Sequence, residues 1–162
     1  MFRIAARRTA QTALGLLLAT AAMGIAGTAH ADEAGANDFA SDLTVTGDLN
    51  GPITDATATC HAFDNGAYSF ELTGQLDGAP ILLTFNTNNF QGAHTYNATG
   101  ITDDNGGLVT LQTEEIKVVT NGATTGTFTI DEGELVTGSI DTDLADNDQH
   151  AHISGTWACN PA

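Results

Sequence analysis

The sequence predicts an all-β protein, an antiparallel β-sandwich of about eight to ten short strands with one inter-sheet disulfide. Apolar and polar residues alternate with a period of two along most of the chain after residue 42. Turn-forming pairs such as Asn65-Gly66, Asp77-Gly78 and Asn121-Gly122 separate the alternating segments. β-branched residues are abundant, and no segment of this part has helical periodicity.

Residues 1–31 have the layout of a cleavable secretory signal peptide. Arg3, Arg7 and Arg8 precede an apolar run, and Ala29 and Ala31 supply the small residues that a signal peptidase recognises. We therefore expect a flexible tail at 32–42 and a single β-sandwich domain at 43–162. The mature chain is expected to be secreted, in the extracellular space or at the cell envelope, with no membrane span after cleavage.

The strands predicted from the alternation follow one another along the chain with short turns between them. One longer segment, 86–96, is expected to be a hairpin connection. The predicted strands lie at 43–49, 56–62, 68–76, 81–85, 108–111, 115–119, 125–130, 135–142 and 149–159.

The two cysteines, Cys60 and Cys159, are expected to form a disulfide in an oxidising exterior. Each lies in phase with the apolar residues of its strand, so both are predicted to point inward. The bridge closes a loop of about 100 residues, for which chain entropy gives at most roughly 4.7 kcal/mol. Trp157 shares the inward face with Cys159, which favours a core position over a sugar-stacking platform.

The mature chain is strongly acidic, because three of the four basic residues lie in the signal peptide. Lys117 remains against all 20 acids, a formal charge of −19. Phosphate binding needs clustered Lys and Arg, so nucleic acid is excluded as a partner, and anionic lipid is disfavoured. Three alternative explanations of the acidity stay open: solubility in a salty exterior, bound divalent cations, and a basic partner.

Three histidines are candidates for a transition-metal site. His150 and His152 are two residues apart on a predicted strand, so their imidazoles share the outward face. His61 also points outward, next to Cys60. If the disulfide makes the two strands neighbours, the three imidazoles suit copper, nickel or zinc. The alternative is that all three are ordinary exposed histidines.

A second candidate site is rich in carboxylates around a predicted turn. Calcium takes six to eight oxygen ligands, and such a segment supplies them. The spacing is not that of an EF-hand, and a solvated acidic turn is the alternative. The candidate ligands are Asp141, Asp143, Asp146 and Asp148, with Asn147 between the last two.

A third candidate is a ligand surface in the segment after the strand at 81–85. Amide groups there offer both donors and acceptors, and aromatic rings add apolar area, a combination that suits a carbohydrate or protein ligand. The alternative is a structural connection. The residues are Asn88, Asn89, Phe90, Gln91, His94 and Tyr96.

Three segments, 55–60, 68–74 and 155–159, resemble small exported proteins of actinobacteria. A cysteine before a hairpin and a second one in the C-terminal strand are similar in layout to the mycobacterial 19 kDa lipoprotein antigen family. The resemblance implies a β-sandwich at the cell envelope and transfers no catalytic residue. The lipidated cysteine of that family is missing, so the resemblance does not extend to a membrane anchor.

The sequence contains no motif of a known catalytic centre, neither a nucleophile elbow nor a zinc-protease or phosphate-binding motif. Acidic pairs such as Glu114-Glu115 and Glu132 with Glu134 do not differ from surface charge. We therefore expect a non-enzymatic, monomeric binding or interaction module without a cofactor. A divalent-metal-binding protein is the alternative, and a small hydrolase comes third.

Overall fold

The computed structural model describes residues 41–101, 104–131 and 136–161, and in these residues all regular structure is β-strand. The predicted signal peptide and residues 32–40 of the expected tail lie outside them, whereas Asp42 belongs to the first strand. No helix among the described residues is long and apolar enough to cross a membrane. The strands are β1 (Asp42–Gly47), β2 (Gly51–Ala62), β3 (Tyr68–Leu76), β4 (Ala79–Thr87), β5 (His94–Asn97), β6 (Leu108–Gln112), β7 (Lys117–Val119), β8 (Gly126–Asp131), β9 (Val136–Asp146) and β10 (Gln149–Pro161).

The strands form one sheet that closes on itself. Around the ring the order is β1, β2, β3, β4, β6, β7, β9, β10 and back to β1, which gives an eight-stranded barrel. β8 pairs with β9 and carries β5 on its other side. The all-β prediction is confirmed, but the two separate sheets of a sandwich are not what forms. The reason is that β1 pairs with both β10 and β2 and so joins the two ends of the sheet.

The disulfide Cys60–Cys159 is present, with the two Cα atoms 5.9 Å apart. It links β2 to β10 beyond the first residue of β1, where the two strands pair directly, in parallel, with Pro161 opposite Cys60. The bridge therefore joins neighbouring strands of one closed sheet, and the expectation of a bridge between two sheets is corrected. Both cysteines are buried, as their phase in the sequence predicts.

The inward residues of the barrel fill its interior with aromatic rings. Phe85 stacks on Phe128 with ring centres 3.9 Å apart, and Phe128 stacks on Trp157 at 4.9 Å. Trp157 is 1% exposed, so its predicted core position is confirmed. Gly138 lies over this indole, and a Cβ at residue 138 would overlap Trp157 and the carbonyl of Thr129.

The connections between strands gather at two ends of the barrel. The turn end carries the tight connections 48–50, 77–78, 113–116 and 147–148. The loop end carries 63–67 and 88–93. At the turn end, Asp77 and Gly78 both have positive φ, at 50° and 77°, as the predicted Asp-Gly hairpin requires.

Candidate functional site

A broad recess lies on the outer face of the β9–β10 hairpin near the turn end. It has a volume of about 580 Å³. We name it the histidine groove. Its polar lining comes from imidazole, carboxylate, amide and hydroxyl groups: His150, His152, Asp143, Asn121, Asn147, Thr46 and Thr124.

The antiparallel register of β9 and β10 creates the centre of this groove. The hairpin turns at Asn147, whose φ is 52°, and this places Asp143 directly opposite His152. Asp143 Oδ1 lies 2.9 Å from His152 Nδ1, which is hydrogen-bonding distance. Asp141 lies one step further along the same face, with Oδ1 3.7 Å from His152 Nε2. The imidazole is therefore flanked by a carboxylate near each of its ring nitrogens.

Two further residues, which the sequence did not single out, support this arrangement. The hydroxyl of Thr125 donates to Asp143 Oδ2 at 3.2 Å, which positions that carboxylate. Asp48 Oδ2 accepts the backbone N–H of His150 at 2.7 Å and so ties the β1–β2 turn to β10. No local sequence pattern marks either residue, because each contact joins segments far apart in the chain.

The structure does not bring the three histidines together. β2 and β10 are neighbours, as expected, but Pro161 is the residue opposite Cys60. His152 lies nine residues before Pro161 on β10, which corresponds to roughly 30 Å along the strand. His61 instead packs edge-on against Phe63, with ring centres 4.2 Å apart. The three-histidine site is thus corrected to a pair, His150 and His152.

The four aspartates of the calcium prediction also do not converge. Asp141 and Asp143 lie on the side of the barrel, whereas Asp146 and Asp148 flank the hairpin tip. Asp141 and Asp146 are five residues apart on one strand, roughly 17 Å. In the part of the chain that the structure describes, no group of three or more His, Cys, Asp or Glu side chains is arranged to hold a metal ion.

The predicted ligand surface at 88–96 is mostly engaged in internal contacts. Tyr96 is fully buried, and its hydroxyl accepts the backbone N–H of Gln91 at 2.8 Å. Phe90 stacks on Tyr68 with ring centres 4.7 Å apart. The sequence missed β5, which begins at His94 and places Tyr96 in the core.

The polar side chains of this segment hold the loop end together. His94 Nε2 lies 2.6 Å from Asn105 Oδ1, and the amide of Asn89 donates to the carbonyl of Asp104. Asn88, Asn89 and Gln91 are exposed, but Phe90 and Tyr96 face the protein. The two aromatic residues are therefore not available as an open apolar surface.

In comparisons with protein-family models, curated proteins and solved structures, none matches this chain.

Proposed function

We propose that this chain is a secreted, non-enzymatic binding module of the extracellular space or cell envelope, and that it binds an extended segment of a partner protein along the histidine groove. The observation that carries the proposal is the groove itself. It is an open recess of about 580 Å³ whose lining includes the exposed polar side chains of Asp143, Asn147 and His150. The closed, aromatic-filled barrel beneath it is a rigid scaffold, and binding surfaces are commonly placed on such scaffolds.

The chemistry of the lining favours a peptide over a carbohydrate. Imidazole, amide, hydroxyl and carboxylate groups match the alternating donors and acceptors of an extended main chain. The groove lining has no Phe, Tyr or Trp among the described residues, so it offers no broad aromatic face. The only tryptophan, Trp157, lies inside the barrel.

The hydrogen bonds at the groove favour binding over catalysis. A serine-type or threonine-type nucleophile needs its hydroxyl to donate to a base such as an imidazole. Thr125 donates instead to the Asp143 carboxylate, and His152 contacts that carboxylate from the other side. This order of groups orients His152 but does not activate Thr125.

A library of random peptides displayed on phage tests the proposal, with a glycan array as the parallel probe for carbohydrate. Ala145 lines the groove opposite His150, so Ala145→Trp places a large side chain in it. We expect selected peptides to bind the parent chain and to lose binding to Ala145→Trp. Thr59→Trp, at an exposed site near the loop end of β2, is the matched control. Selected peptides that bind Ala145→Trp as tightly as they bind the parent chain would contradict the proposal.

A second candidate function, transition-metal binding, is favoured by one specific distance. The His152 Nε2 to Asp141 Oδ1 separation is 3.7 Å. Two ligands of a tetrahedral zinc ion are about 3.4 Å apart when each bond is 2.0–2.1 Å. Asp143 on Nδ1 is the kind of carboxylate partner that orients metal-binding histidines. With two protein ligands the ion would keep water in its other positions.

Titration with zinc chloride, followed by NMR of the histidine rings, tests this second candidate. We expect the His152 resonances to shift at sub-millimolar zinc in the parent chain and Asp141→Asn to weaken the effect. His61→Ala, which removes the distant histidine, is expected to bind zinc like the parent chain. An unmoved His152 resonance, or an equal loss in His61→Ala, would remove the metal hypothesis.

A further inference from the structure

A second recess lies at the turn end, between the turns that follow β1, β3 and β6. It has a volume of about 270 Å³, and we name it the turn-end pocket. Its apolar lining comes from Leu49, Leu76 and Ile116. Leu76 is buried, whereas Leu49 and Ile116 are half-buried and form the accessible part of the floor.

Four carboxylates border this apolar floor: Asp48, Asp77, Glu114 and Glu115. Among the described residues, every ion pair within 4.0 Å involves His152, so none of the four has a cationic partner there. Lys117 begins β7 close by in sequence, but it is exposed and takes part in none of these ion pairs. The rim of the pocket therefore carries uncompensated negative charge.

An apolar floor with a carboxylate rim matches one kind of side chain. Lys and Arg carry a methylene stem that packs on apolar surface and a charged head that reaches outward to water or to carboxylates. An anionic group would be repelled by the rim. A purely apolar group would leave that charge uncompensated.

The turn-end pocket and the histidine groove adjoin at the end of β1. Gly47 lines the groove and Asp48, the next residue, lines the pocket. Asp48 is also fixed to the groove through the backbone N–H of His150, at 2.7 Å. A segment lying in the groove beside Gly47 therefore has the pocket within reach of its side chains.

We propose that the turn-end pocket binds a Lys or Arg side chain of a basic partner segment that lies along the histidine groove. This inference rests on the proposed binding function and names the chemistry of its ligand. It also assigns part of the acidity of the chain to recognition. The carboxylates of the rim then act as a specificity element, since they accept a basic side chain and repel an acidic one.

A short acetylated and amidated peptide with one central lysine among glycines and serines tests this proposal. Its matched control replaces lysine by norleucine, which keeps most of the stem and removes the charge. We expect the lysine peptide to shift the methyl resonances of Leu49, Leu76 and Ile116 and to bind more weakly as salt is raised. The norleucine peptide is expected to bind at least about fivefold more weakly.

Matched charge variants separate local recognition from general attraction. Glu114→Gln with Glu115→Gln removes two charges at the pocket, and Asp64→Asn with Asp131→Asn removes two exposed charges at the loop end. We expect the first pair to raise the Kd for the lysine peptide about fivefold and the second to change it less than twofold. Equal binding of the norleucine peptide, or equal effects of the two pairs, would overturn the inference. If phage peptides depend on Ala145 but contain no enriched Lys or Arg, the inference fails while the binding function stands.

Discussion

Two regions of this chain have the composition of a ligand surface, and the fold uses them in opposite ways. The segment 88–96 combines amides with aromatic rings, and the β9–β10 hairpin combines histidines with aspartates. The first becomes part of the loop end, with Tyr96 fully buried. The second keeps His150, His152 and Asp143 on the outer face around a groove.

The two regions differ in whether their backbone groups need side chains as hydrogen-bond partners. The segment 88–96 crosses the open end of the barrel, where the backbone needs partners, and the Tyr96 hydroxyl and Asn105 amide supply them. The β9–β10 backbone is paired along both strands, so the outward side chains are not needed for that purpose. Polar side chains are therefore left available for a ligand where secondary structure has already satisfied the backbone.

The variant with the largest expected effect is Tyr96→Ala, which tests whether the segment 88–96 has a structural role. Removal of a fully buried aromatic ring leaves a cavity and costs about 3–5 kcal/mol of unfolding free energy. Urea denaturation measures this loss. A cost below about 1 kcal/mol would contradict a structural role for Tyr96 in the core.

Loss of the disulfide is expected to affect the two regions unequally. Cys60→Ala with Cys159→Ala removes a bridge between residues 99 apart in sequence, and we expect a loss of about 2–5 kcal/mol. Hydrogen exchange should increase first at the loop end of β2 and β10, where β1 no longer separates them. Faster exchange that begins in the β9–β10 hairpin would contradict this account of the barrel closure.

Tyr96→Phe removes the hydroxyl alone and so tests its hydrogen bond separately from the buried ring. The backbone N–H of Gln91 then loses its acceptor, and we expect a cost of about 1 kcal/mol. Backbone NMR should show the change confined to 88–96, with the histidine groove unaltered. Equal changes in both regions would mean that the two are coupled through the barrel.

His152→Ala is expected to have the smallest effect on folding. Its contacts with Asp141 and Asp143 are solvent-exposed, and exposed pairs contribute at most about 1 kcal/mol. We expect an unfolding free energy within about 1 kcal/mol of the parent chain in the same urea experiment. A loss above about 2 kcal/mol would give His152 a structural role and weaken its assignment to a binding surface.

The local part of the fold could be predicted because local signals define it. The predicted strand at 68–76 coincides with β3 because strong alternation lies between Gly66 on one side and Asp77-Gly78 on the other. β5 was missed because it has only four residues, one of them a buried aromatic, and its partner is β8, more than 30 residues later. Short strands with distant partners carry little periodicity of their own.

The same distinction applies to the candidate site. The pairing of His152 with Asp143 depends on one hairpin, whose turn around Asn147 is predicted, but the strand before that turn is predicted to end at residue 142 and so leaves Asp143 outside it. The position of His61 depends on the parallel register of β2 and β10, which no neighbouring residue encodes. Barrel closure has the same cause, since it depends on β1 pairing with β10, which is distant in sequence, as well as with β2, which follows it directly.

The most direct test of the central claim is a two-dimensional NMR titration of the chain without its predicted signal peptide, using the lysine-containing peptide. We predict that the largest backbone shifts lie in the histidine groove and the turn-end pocket, around Gly47, Glu115 and His150, while residues 88–96 stay unchanged. Shifts centred on 88–96, with the β9–β10 face unaffected, would contradict the account.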